Sequence, residues 1–173
     1  DGVSFSEENL LNELENLKVY KSQIDTKKVS NNSKLQLQLQ LQKQSFDFNV
    51  LQLIKDYPNT KFIIFHPPFS IVAFKWLDAR NQLDDYLNFK RYIFESTKKY
   101  KNVSLHDFQS EKNITHNLDN YLDTHHYSNL VNSWMIKQIK KETNLVNQDT
   151  FDIYLNSLKT QIQEYNINTF LEK

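Results

Sequence analysis

Lys61-Phe62-Ile63-Ile64-Phe65-His66-Pro67-Pro68 is the stretch on which the fold turns. Phe62 to Phe65 are aromatic and β-branched without a polar break, and the run is too short to make a helix of its own. Such a run predicts a strand buried on both faces, as the strands of a parallel sheet are. Pro67 and Pro68 end it, because proline lacks the N–H that a sheet ladder needs and stiffens the turn that follows. That turn is either a plain connection or the wall of a cleft.

Downstream, helices are expected at about 70–77 and 80–99, and Val103-Ser104-Leu105-His106-Asp107-Phe108 reads as a second strand. A polar loop, 109–124, leads to a helix that Ser128 caps and that runs to about Lys141, with Leu130, Val131, Trp134, Met135 and Ile139 on its buried side. Asp149 or Thr150 opens a last helix with the stripe Phe151, Leu155, Leu158, Ile162 and Tyr165.

Upstream, Phe46, Val50, Leu51, Leu53 and Ile54 suit a short helix ending before Pro58. Leu35 to Gln42 alternates Leu and Gln. Strict period two predicts a strand or extended segment, against the helix-forming preference of both residue types. The tract is also low in complexity, as a tolerant surface repeat is. Residues 21–34 read as a polar linker, preceded by a helix that Ser6 caps, with Glu7 and Glu8 in its first turn and Leu10, Leu11, Leu14 and Leu17 as its stripe to about Tyr20. The chain thus divides into an N-terminal helix with a linker and extended segment, 1–44, and an α/β part, 45–173. Strands alternating with helices predict a parallel sheet, whose chemistry sits at the carboxyl ends of the strands. His66-Pro67-Pro68 and the loop after Phe108 are two such ends.

Composition narrows the chemistry. Lys and Arg number 21, as do Asp and Glu, so no basic excess marks a nucleic-acid or anionic-membrane partner. The absence of cysteine removes thiolate nucleophiles, Cys-based zinc sites and iron–sulfur clusters. The single glycine, Gly2, leaves none for a phosphate loop, a dinucleotide fingerprint or a Gly-x-Ser-x-Gly elbow. No apolar run approaches the roughly 20 residues of a membrane span, and no signal peptide is visible.

Leu118-Asp119-Asn120-Tyr121-Leu122-Asp123-Thr124-His125-His126-Tyr127-Ser128 holds the chain's only Asp-x-x-His pair, Asp123 and His126. The spacing lets a carboxylate hold one imidazole nitrogen while the other takes a proton from a hydroxyl nucleophile. His126 precedes a helix N-terminus, whose partial positive charge favours the neutral imidazole that a base must be. The bland reading is an Asp and a His in a surface loop. His116, His125, His126 and Asp123 also raise zinc, but adjacent histidines project differently and no His-x-x-x-His pair exists. His66 and His106, at the two strand ends, are expected to be satisfied polar residues at a sheet edge that face the same cleft.

Three segments resemble the C-terminal half of the SGNH hydrolase-like proteins of bacterial cell envelopes: 61–70, 102–109 and 118–128. Their strand ending in Pro-Pro-x-Ser, their Asp-Phe strand end and their Asp-Asn-Tyr-x-Asp-x-x-His block are similar to those of polysaccharide O-acetyltransferases and D-alanylation proteins, across about residues 45–140. The resemblance implies a flavodoxin-like, three-layer α/β fold lacking its N-terminal part. It implies His126 as catalytic base, Asp123 as the acid that orients it, and no metal or organic cofactor. It further implies a glycan or acyl-ester substrate, envelope assembly proteins as partners and a location in the cell envelope. Phe69 stands where this family has Tyr, and its Gly-x-Ser nucleophile block is absent. Ser4 and Ser6, before a helix and without a glycine turn, do not replace it. The expectation is the downstream piece of an acyl esterase or O-acyltransferase, or else a non-catalytic glycan- or partner-binding module of the same fold.

Overall fold

The computed structural model describes residues 32–166 and, before them, Asn12, Glu13, Glu15, Asn16 and Val19, all five helical. The expected cap at Ser6 and the stripe of Leu10, Leu11, Leu14 and Leu17 lie outside the described residues, as does most of the expected linker. The protein is a mixed α/β structure with a two-stranded parallel sheet among the described residues.

Helix α1 spans Asn32–Phe46, passes into a wide π-helical turn, Asp47–Leu51, and continues as α2, Gln52–Asp56. This corrects the extended reading of Leu35 to Gln42: the tract is helical. A lone period-two segment without a neighbouring strand leaves its backbone unpaired, whereas Leu and Gln lose little freedom in a helix that pairs it internally. Alternation in a helix spreads Leu over opposite faces, so Leu37 and Leu41 are exposed while Leu39 is partly covered. Phe46 and Leu51 are buried, but Leu53 is not.

Strand β1, Phe62–His66, pairs in parallel with β2, Val103–Asp107, with Ile64 opposite Leu105 and His66 opposite Asp107. Between them run α3, Ile71–Ala79, and α4, Leu83–Thr97. On one sheet face Ile64 and Leu105 pack with Ile93 and Phe94 of α4, with Phe46 and Leu51, and with Phe151 and Leu155 of α7, Phe151–Glu164. On the other face Phe65 and Phe108 meet edge to face at 6.4 Å, and Phe108 meets Trp134 of α6, Asn129–Lys140, at 5.4 Å. A second cluster joins Ile71, Val72 and Phe74 of α3 to Leu158 and Ile162 of α7.

Burial of β1 on both faces does not hold. Ile63 and Phe65 keep 47% and 42% of their surface exposed. The cause is uneven coverage of the two faces: residues of α4 and α7 pack on the Ile64 side, whereas on the other side Phe65 meets the Phe108 ring and stays half exposed with Ile63. β2 occupies one edge of β1, and no described strand occupies the other. The far edge of β2 is closed, since Val146 N–H donates to Leu105 O and Asp107 N–H to Asn144 O. The expected loop 109–124 contains a short helix, α5, Lys112–Thr115, and a 3-10 turn, Leu118–Asn120. On α6 Val131 and Met135 are buried, but Leu130 points to solvent and the Ser128 hydroxyl makes no capping bond. The α7 stripe is as expected, with Tyr165 just past its end.

Candidate functional site

The segment from Tyr121 to Tyr127 is a closed loop. Leu122 N–H donates to His126 O at 2.7 Å and Ser128 N–H to Asn120 O at 2.7 Å, so the chain returns on itself. Inside it, Asp123 Oδ1 accepts from the backbone N–H groups of His125 and His126, both at 2.8 Å. Its other oxygen, Oδ2, lies 2.6 Å from His126 Nδ1. The two residues singled out by their spacing are therefore in direct contact. Burial pushes the Asp123 carboxyl up, but the two N–H donors and His126 outweigh it and hold it below the usual carboxylate range. An ionised Asp123 on Nδ1 assigns that nitrogen the proton and leaves Nε2 as the acceptor. The His126 side chain is 76% exposed, so Nε2 is open to an incoming group.

The loop is fastened to the turn after β1. Both the N–H and the hydroxyl of Ser70 donate to Thr124 O, at 3.1 and 2.8 Å. The Tyr121 hydroxyl donates to Pro68 O at 2.7 Å. Phe69 meets the His125 ring edge to face at 4.9 Å. The pair thus sits at the carboxyl end of β1. A concavity of about 330 Å³ beside it is lined by Glu13, Ala73, Trp76, Leu77, Arg80, Asp123, Thr124 and His125.

The other histidines go elsewhere. No group of three or more His, Asp or Glu side chains among the described residues is placed to hold a metal ion. His116 Nδ1 lies against the Thr115 hydroxyl at 3.0 Å and His125 Nδ1 against the Thr124 hydroxyl at 2.8 Å, so neither joins His126. His106 is satisfied by Thr143 O at 3.0 Å. It does not share a cleft with His66, because His66 is in register with Asp107, and neighbouring residues on a strand point to opposite faces. Nor is His66 satisfied: its Nε2 is buried without a hydrogen-bond partner among the described residues.

Around His66 lies a buried polar cluster that spacing alone did not reveal. Lys90 Nζ donates to Asp107 Oδ2 at 2.5 Å and to Gln109 Oε1 at 2.7 Å. The Lys90 and Asp107 side chains are only 1% and 3% exposed. Gln109 passes the connection on, donating to Pro67 O at 3.1 Å and contacting the Tyr86 hydroxyl, while its own N–H donates to Asp107 Oδ1 at 2.9 Å. Burial pushes the Lys90 ammonium below its ordinary value. Burial would raise the Asp107 carboxyl, but Lys90 beside it holds it low. Burial, then the Lys90 charge, lowers His66 to about 3, so it is neutral. One signal was readable: Lys90 falls on the helical stripe Leu83, Leu87, Lys90, Phe94, Thr97, where a lysine must find a buried partner.

The fold and site define a mixed α/β protein with an Asp–His pair at the carboxyl end of a parallel strand. Comparison with family models, with curated proteins and with solved structures finds no match to this chain.

Proposed function

We propose that this chain supplies the Asp–His part of a serine-type acyl esterase or O-acyltransferase acting on a cell-envelope glycan. The observation that carries the reading is the contact between Asp123 Oδ2 and His126 Nδ1, with Nε2 facing solvent. In such an enzyme a serine outside the described residues attacks the acyl carbonyl. Nε2 of His126 takes the serine proton and returns it to the leaving alcohol, and Asp123 stabilises the imidazolium between the two steps. The oxyanion hole would come from the same part of the enzyme, outside the described residues.

The fold proposed for the whole is a flavodoxin-like, three-layer sheet of which β1 and β2 are two strands. The open edge of β1 supports it. Phe62 N–H and His66 O bond toward β2, so Ile63 and Phe65 direct their N–H and C=O groups away from it. Those groups have no partner among the described residues and are free to pair with a further strand, and the side chains of Ile63 and Phe65 are half exposed on a face that flanking helices cover in a complete parallel sheet.

A second reading, a glycan- or partner-binding module, is favoured by a specific observation: no hydroxyl among the described residues is bonded to His126. The complete gene product decides between them. Hydrolysis of p-nitrophenyl acetate, or acetyl transfer to a glycan acceptor, should depend on His126, while the 173-residue chain alone should show no turnover above a His126→Ala control. Equal rates for wild type and His126→Ala in the complete product would leave the module reading standing. Among the described residues no helix is long and apolar enough to cross a membrane.

A further inference from the structure

We infer that Ser70 is a positioning residue for the Asp123–His126 pair, acting through Thr124. The inference rests on the reading of that pair as a working dyad, and it assigns a role to a side chain that touches neither member. Ser70 is fully buried, and its backbone N–H and hydroxyl converge on one acceptor, Thr124 O. Thr124 lies between Asp123 and the two N–H groups, of His125 and His126, that its carboxylate accepts. Holding that carbonyl therefore holds the turn whose curvature aims Asp123 Oδ2 at His126 Nδ1.

The need for such a tether follows from exposure. The His126 side chain is 76% and the Asp123 side chain 45% exposed, and solvent screens an ion-pair-like contact between such side chains until it is worth little. A contact that weak does not hold its own geometry, so the rigidity must come from buried groups. Ser70 is such a group, and it is itself held. It caps α3, its hydroxyl accepting from Ala73 N–H at 3.4 Å, and it follows a turn whose Pro67 carbonyl is bound by the buried Gln109. The tether thus runs from the core cluster beneath the strands to the exposed pair. Tyr121, bonded to Pro68 O, fixes the start of the loop rather than its turn.

The test is the ring ¹⁵N spectrum of His126, which reports which nitrogen carries the proton and needs no substrate. In wild type the Nδ1–H tautomer should dominate, and Asp123→Asn should shift the balance toward Nε2–H. Ser70→Ala should shift it in the same direction, and Ser70→Thr, which keeps the hydroxyl, should restore it. Because Ser70→Ala also removes a helix cap, Ser70→Gly is measured beside it. Glycine keeps most of the cap's stability but not the hydroxyl, and the tautomer should still shift. A folded Ser70→Gly or Ser70→Ala protein with wild-type His126 signals overturns the positioning role. If Asp123→Asn itself leaves the His126 signals unchanged, it is the dyad reading that fails instead.

Discussion

Removing one partner of the buried Lys90–Asp107 pair should be among the most destabilising single changes in the protein. The pair is almost fully excluded from water and closes at 2.5 Å. Lys90→Met leaves the Asp107 carboxyl buried with the Gln109 N–H as its remaining donor, and Asp107→Asn leaves the Lys90 ammonium without a counter-charge. Breaking a buried pair from one side costs about 3–5 kcal/mol, because the surviving charge stays desolvated. At ~2–4 °C per kcal/mol for a chain of this size, either change should lower the melting midpoint by roughly 6–20 °C. The double variant removes both charges and should cost clearly less than the sum of the singles. Urea unfolding of all four proteins, followed by far-UV circular dichroism, closes the cycle. Single variants that each cost under about 1 kcal/mol, or a double that is simply additive, would refute the reasoning. The cluster would then be wetter or looser than its burial implies.

Acid should destabilise the protein through His66. Its folded value of about 3 lies below the ordinary 6.5, so the unfolded chain binds a proton that the native one refuses. Stability from this source is complete above about pH 6.5 and falls toward pH 3, by roughly 2 kcal/mol at pH 5. Urea midpoints at pH 7 and 5 should show the fall, and His66→Gln should flatten it. Asp123→Asn, which keeps an oxygen for the backbone N–H groups of His125 and His126, should leave stability within about 1 kcal/mol of wild type, since the ion-pair-like contact it weakens is exposed; a loss of several kcal/mol would show the pair to be structural. Leu37→Gln should change stability by no more than about 0.5 kcal/mol, because Leu37 is exposed on a helix. A large loss there would return the Leu-Gln tract to the extended reading, in which all its leucines share one buried face.

The local elements and the Asp123–His126 contact were legible because each depends on neighbours in the chain. Phe62–Phe65 is β-branched and aromatic and stops at prolines, so it could hardly be other than a strand. Asp123 and His126 are three residues apart, within reach for almost any turn that brings the intervening N–H groups onto the carboxylate. The stripe of α7 follows the helical period in the same way. The Leu-Gln tract failed for the converse reason: its two local signals, period and propensity, disagree, and only packing chose between them. The buried faces of α6 and β1 were also decided by what lies opposite, which left Leu130, Ile63 and Phe65 exposed.

The sequence by itself determined the two strands, the helices α3, α4, α6 and α7, and that a carboxylate can orient His126. Tertiary structure alone decided that Lys90 meets Asp107 from 17 residues away, and that His66 is buried neutral among them. It alone decided that Ser70 reaches Thr124 across 54 residues. Such contacts are set by how α3 and α4 fold back across two parallel strands. A buried charge or hydroxyl must find its partner wherever that topology places one, and chain distance carries no record of it.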